Sequence, residues 1–283
     1  MRIASGLNCR TSNVVGVLAA AFLSLAVIGG PLGQAGAEAP EISDGRRAER
    51  TDFTDLEIRD GFFKIAFGAE LQVGPHTDRI RKFDGPVRVY VANHGKPDRR
   101  ADLAAILADL RSRIAHLDLA TTTDRKAANV VVTLVSARDF KRTVRATFGP
   151  ARAKQIQEAL NPECLSGFAK DEQFRIRHAE VILPVDAGEF AFYNCAYEEV
   201  LQALGPINDD RSVPWTMFND DVQMGFFDVY DQYLLNILYD PRVRPGMTKQ
   251  EVAALLPDVL SAVRAQLSPT IAASSRDLAR SAP

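Results

Sequence analysis

Residues 130–135 read Val130-Val131-Val132-Thr133-Leu134-Val135. A short, continuous, β-branched run of this kind is a strand buried on both faces, the pattern of a central strand in a helix-covered sheet. Upstream, Val87-Arg88-Val89-Tyr90-Val91 alternates with period two after Gly85-Pro86 and gives a second strand. Between the two, Leu103, Ile106, Leu107, Leu110, Ile114 and Leu117 recur at helical spacing, so a helix is expected over about 100–116. Downstream, 139–148 and 151–160 read as helices separated by Gly149-Pro150. Residues 176–185 form the third strand, with Ala179, Val181, Leu183 and Val185 on one face. Helices follow over 190–204, stopped by Gly205-Pro206, and over 226–239. Thr248 and Glu251 form a capping box for a last helix through about Leu267, which Pro257 is expected to kink or divide. The alternation of strands and helices predicts an α/β fold: a small mixed sheet packed with helices, in a single domain over 61–267. Residues 38–60 read as a flexible lead-in and 268–283 as a disordered tail.

The N-terminus points to export. Arg2 and Arg10 bracket the start, the run 14–28 is apolar, and no acid occurs before Glu38. Gly29, Gly30 and Pro31 end the run, and Ala35-Gly36-Ala37 has the small-x-small form of a cleavage site. Residues 1–37 therefore read as a signal peptide, and the mature chain as periplasmic or secreted. The apolar run, about 15 residues, is short against the roughly 20 of a membrane span, with an uncleaved anchor as the alternative. Cys9 precedes that run, which argues against lipidation there. No second long apolar run follows, so no stable membrane insertion is expected after cleavage. Removing two arginines and no acid moves the net charge from -2 to -4. That balance excludes a strongly basic nucleic-acid binder. A content of 46 % hydrophobic and 25 % charged residues excludes a disordered chain.

Cleavage leaves two cysteines, Cys164 and Cys195. An even pair in an exported chain reads as a disulfide, with two buried thiols as the alternative. A catalytic Cys195 is disfavoured, because Glu198 and Glu199 nearby would raise a thiol pKa.

The segment Asn194-Cys195-Ala196-Tyr197-Glu198-Glu199-Val200-Leu201-Gln202-Ala203-Leu204-Gly205 carries the functional question. On a helix, Glu198 and Gln202 share one face and Glu199 sits beside them. This is the spacing of a zinc-protease helix, in which two His at i and i+4 hold the metal and a Glu acts as base. Residues 194–209 resemble a metzincin-type helix, His-Glu-x-x-His-x-x-Gly-x-x-His, and so imply a zincin-like fold. Glu198, Gln202 and Asn208 fill the three His positions; only Glu199 and Gly205 match. Met247, in Pro245-Gly246-Met247-Thr248, is the candidate for the methionine that metzincins keep beneath the metal, with Met217 and Met224 as rivals. One carboxylate and two amide oxygens make a poor zinc set and too small a calcium set. The four histidines, His76, His94, His116 and His178, lie outside this helix. No metal and no cofactor is expected.

A second resemblance covers more of the chain. Cys164, Cys195, Tyr-Glu-Glu-x-x-Gln-x-Leu-Gly at 197–205, Asn208-Asp209, Phe218-Asn219-Asp220, Leu238-Tyr239-Asp240-Pro241 and Pro245-Gly246-Met247 are similar to an exported bacterial family known only as domain of unknown function 2927. The similarity spans about residues 60–260. It implies a scaffold and no reaction.

Two acids early in a helix satisfy its dipole. With Gln202 they also suit a structural hydrogen-bond network where a metal once sat. Asp209, Asp210, Asp220 and Asp221, around Trp215 and Phe218, read either as a solvated loop or as a groove for a cationic peptide or sugar. Arg79, Arg81 and Lys82 read as a solvated basic face. No Gly-x-Gly-x-x-Gly, phosphate-loop or Gly-x-Ser-x-Gly pattern occurs. The expected function is a non-catalytic binding module on a degenerate metalloprotease-like scaffold. Its binding residues would be Glu198, Gln202, Asn208, Asp209 and Trp215, and its partner an envelope protein or peptide. The alternative is a peptidase-like hydrolase with Glu199 as general base; a structural protein of the envelope is a third reading.

Overall fold

The computed structural model describes residues 38–68, 78–160, 162–206 and 208–281. The expected signal peptide, Cys9 and His76 lie outside the described residues. Five strands form one sheet: β1 (Val87–Asn93), β2 (Leu119–Thr121), β3 (Val130–Val135), β4 (Leu165–Lys170) and β5 (Ile176–Pro184). Their order is β2-β1-β3-β5-β4, with β4 at one edge, antiparallel to β5, and every other pairing parallel.

All six residues of β3 are buried, because helices cover the sheet on both sides. On one side, α3 (Arg100–Arg113), α6 (Glu189–Ala203) and α7 (Val229–Tyr239) share the main core with Val130, Val132, Ala179, Val181 and Leu183. On the other, α4 (Ala137–Phe148) and α5 (Pro150–Ala159) close a smaller cluster of Val135, Phe140, Val144, Ile156, Leu165 and Ile182. The alternation along β5 therefore feeds two cores. The strands at the two edges, β2 and β4, are the ones the sequence pattern misses. Leu-Ser-Gly-Phe-Ala-Lys has no β-branched residue and no alternation, and β2 is only three residues long.

The expected flexible lead-in is folded. It contains α1 (Pro40–Ala48) and the start of α2 (Asp55–Ile65). Thr54 and Glu57 close a capping box on α2: Glu57 N–H donates to Thr54 Oγ1 at 3.2 Å, and Thr54 N–H donates to Glu57 Oε2 at 2.8 Å. The segment is polar overall, but Ile42, Phe53 and Ile58 reach the core, and of its large apolar residues only Leu56 stays exposed. Gly61 lets α2 lie against α7, since a Cβ there would stand 1.9 Å from Tyr230 Oη. The Tyr230 hydroxyl in turn donates to the Glu57 carbonyl at 2.7 Å.

The last helix, α8 (Lys249–Ser281), runs on through Pro257 and Pro269 and through the tail expected to be disordered. Leu256, Val259, Leu260, Val263 and Leu267 bury one side of it. Pro257 lies on the exposed side, where solvent reaches the carbonyl left without an N–H partner, so one missing bond does not end the helix.

Candidate functional site

The disulfide Cys164–Cys195 joins the residue preceding β4 to the second turn of α6, with Cα atoms 5.9 Å apart. It sets the spacing between the edge strand and the helix. Beside it opens a cleft of about 370 Å³, walled by α6, β4, α5 and the loop 209–223. From α6 come Asn194, Glu198, Glu199 and Gln202; from β4 come Ser166, Gly167 and Phe168.

Gln202 is buried and ties three walls together. Its Nε2 donates to Asp209 Oδ1 at 3.0 Å, and Ser166 Oγ donates to its Oε1 at 3.2 Å. A side chain that donates and accepts at once is what this position needs; a carboxylate here would face the Asp209 carboxylate. Glu199 is also buried, at 6 % exposure, while Glu198 is half-buried toward the cleft. Both lie about three turns into α6, beyond the reach of its positive end, so the helix dipole does not account for them. Glu163, Asp209 and Asp220 add three more carboxylates to the lining, and Arg152 is its one cation among the described residues. Asp220 is paired with Arg211 at 3.2 Å, but the other carboxylates still outnumber Arg152, and this excess of negative charge favours a positively charged ligand.

The loop that brings Asp209 and Asp220 to the cleft is held from within. Asn219 Nδ2 donates to the Val213 carbonyl at 3.0 Å, and its Oδ1 accepts from Asp221 N–H at 3.0 Å. Farther along, the Met217 N–H at 2.8 Å and the Thr216 hydroxyl both donate to the buried Asp231 carboxylate. Asp228 caps α7 beside it, accepting from Asp231 N–H at 3.1 Å, and Glu49 accepts from Val229 N–H. Burial pushes the pKa of Asp228, Asp231 and Glu49 above the ordinary carboxylate range.

Two of the expected binding residues are elsewhere. Asn208 donates from Nδ2 to the Lys64 carbonyl at 2.9 Å and packs on Gly68. The turn at Gly205 redirects the chain: its φ is 142°, and a Cβ would meet the Arg81 carbonyl oxygen at 2.3 Å. Trp215 lies under the Arg50 guanidinium at 4.5 Å and against Phe53, and Phe218 is fully buried in the core. The aromatic rings of the cleft are Phe148 and Phe168 instead. Glu198, Gln202 and Asn208 therefore do not converge, and this set does not fit a zinc ion. Met247 lies outside the cleft lining, its sulfur accepting from Arg244 N–H at 3.2 Å.

Of the basic cluster expected to be solvated, Arg79 is half-buried and Arg81 and Lys82 are buried. Lys82 is buried, and its Nζ donates to the Leu238 carbonyl at 2.8 Å and the Asp240 carbonyl at 3.2 Å, at the negative end of α7. Burial pushes its pKa down to about 8. Arg81, also buried, donates to the Gly68 carbonyl and lies 5.9 Å over the Phe168 ring.

Among known protein families, that described as Protein of unknown function (DUF2927) matches residues 55–258. The chain belongs to this family. The DUF2927 match begins at the first residue of α2 and takes in all five strands and all the cleft residues named above. It leaves out α1 and the end of α8. No curated protein and no solved structure matches the chain. The likeness to metzincins extends no further than Glu199 and Gly205.

The sequence did not single out Ser166, Phe168, Arg152 or Glu163. The signal that leads to the first two is the cysteine pair itself: joining Cys164 to Cys195 lays residues 165–168 beside the helix that carries Glu198.

Proposed function

We propose that this DUF2927 protein is a non-catalytic binding module that takes an extended, cationic peptide into the cleft between β4 and α6. The observation that carries the reading is the pairing of an edge strand with five carboxylates in one concave site. An edge strand can accept a further strand through its backbone, and flanking side chains then select the sequence. The carboxylates supply the selection here, favouring Lys and Arg. A degenerate zincin scaffold belongs to the same reading, supported by the two positions of the sequence pattern that match, Glu199 and Gly205. So does action outside the cytoplasm, supported by the signal-like segment 1–37 and by a disulfide, a bond of oxidising compartments.

The test is calorimetric titration of the full chain with a short lysine-rich peptide and with its glutamate-rich counterpart. The lysine-rich peptide is expected to bind, more weakly as salt rises, and Glu198→Gln to weaken it by up to about fivefold. Equal binding of both peptides, or of neither, overturns the proposal. Cleavage of the peptide over time, abolished by Glu199→Gln in a folded protein, would put the hydrolase in its place.

A further inference from the structure

The α4–α5 hairpin has a composition unlike the rest of the chain. Residues 137–160 carry six basic residues, Arg138, Lys141, Arg142, Arg145, Arg152 and Lys154, and two acids, Asp139 and Glu158. This is a local charge of +4 in a protein whose total is -2.

The structure separates these cations by direction. Phe140 and Val144 turn the apolar face of α4 toward the sheet and toward α5. Its other face presents Arg138, Lys141, Arg142 and Arg145 to solvent, at the i, i+3, i+4 and i+7 spacing of one helical stripe. Arg138 and Arg142 side chains are 86 % and 80 % exposed, and Lys154 on α5 is 75 % exposed. Asp139, the one acid on α4, is only 27 % exposed beneath its two arginine neighbours. Arg152 points the other way and lines the peptide cleft.

Between the two helices lies a slot of about 200 Å³. Phe140, Val144, Ala153 and Ile156 contribute its apolar lining, and Lys141, Arg145 and Lys154 its cations. Cations around an apolar slot match the order of groups in an anionic phospholipid, a phosphate at the surface and hydrocarbon beneath it. A nucleic acid would leave the apolar part of the slot without a partner. Among the described residues no helix is long and apolar enough to cross a membrane, so contact through this face would be peripheral.

We propose that the outer face of the α4–α5 hairpin is a peripheral docking surface for an anionic phospholipid membrane. The cations of this surface lie outside the peptide cleft, although Ile156 and Pro162 line both, and the proposal stands independently of the peptide reading. Each Lys or Arg held near an anionic surface strengthens binding about fivefold.

The test measures vesicle binding of the full chain by co-sedimentation, with vesicles of phosphatidylcholine alone and of phosphatidylcholine mixed with phosphatidylglycerol. The readout is the ratio of the two affinities. Arg2 and Arg10 beside the N-terminal apolar run add their own preference for anionic vesicles, and substitutions confined to the hairpin leave that share in place. The expected result is strong preference for the anionic vesicles at low salt, lost at about 0.5 M salt. Lys141→Gln with Arg145→Gln, both at exposed positions, should weaken anionic binding about 25-fold and leave thermal stability unchanged. A ratio near one, or a ratio that the double substitution leaves intact, overturns the proposal. Retention on a polyanion such as heparin without any vesicle preference overturns it too, and would make an acidic polymer the partner.

Discussion

Replacing both Cys164 and Cys195 with alanine tests how the cleft is held together. The disulfide spans a sequence separation of 31 residues, which include the whole of β4, β5 and the first half of α6. Closing a loop of that length removes about 12 cal/mol/K of entropy from the unfolded chain, or about 3.7 kcal/mol at room temperature. Packing adds little, because Cys164 is near the surface of the core at 8 % exposure and Cys195 is half-buried. Urea unfolding of the oxidised wild type, the reduced wild type and the double variant measures the effect. The reduced protein and the variant should agree with each other and fall about 3–4 kcal/mol below the oxidised form, with the thermal midpoint about 7–15 °C lower. The same change frees the start of β4 from α6, so affinity for a lysine-rich peptide should drop although no cysteine needs to touch it. A stability loss under about 1 kcal/mol would refute the reasoning, since it would mean that the unfolded chain already keeps residues 164 and 195 close together.

The buried acids Glu49, Asp228 and Asp231 predict a pH dependence with a definite sign. Their carboxyls hold protons to higher pH in the folded than in the unfolded chain, so their contribution is fully present below about pH 4 and is lost as pH rises through the folded values. Glu57 acts oppositely: its hydrogen bonds from Arg50 hold its pKa at about 2, and its contribution is lost as pH falls toward that value. Stability measured by urea midpoint should therefore peak in mild acid and decline toward neutrality. Asp228→Asn, which keeps a capping oxygen, should flatten that decline, and an unchanged slope would count against the account. Gly61→Ala should cost about 1–3 kcal/mol, because the new methyl group displaces the Tyr230 hydroxyl from the Glu57 carbonyl; a neutral result in thermal unfolding would show that α2 shifts at no cost.

What could be read from the sequence follows how locally each feature is encoded. Residues 130–135 declare themselves because every side chain in them is buried, and β1 and β5 because burial alternates or nearly fills them. Glu198, Glu199 and Gln202 reach the cleft because helical spacing alone puts them on one face, and Asp209 follows through its bond to Gln202. Asn208 and Trp215 are misplaced for a tertiary reason. The approach of Arg81 to Gly205 turns the chain, and the cation that attracts Trp215 is Arg50, in a segment whose polar composition conceals its folding. Lys82 looks solvated because its partners are backbone carbonyls of residues 238 and 240, which no side-chain pattern announces.

The charge balance of the chain shows where composition misleads. A total of -2 describes neither of the two faces that meet at α5. Arg152 turns toward a cleft holding five carboxylates, while Lys154, on the same helix, extends a cationic stripe. Salt screens exposed charges beyond about 8 Å at physiological strength, so a ligand near either face responds to the local field and hardly to the total. Excluding a strongly basic protein from the sum is sound; excluding a basic surface from it is not. Opposite fields on two sides of one short helix also make a distinguishable pair of salt effects. Raising salt should weaken capture of a cationic peptide and of anionic vesicles together, yet Glu198→Gln should affect only the first and Lys141→Gln with Arg145→Gln only the second. If either substitution weakened both, the two faces would be coupled through α5 and could not be treated as separate sites.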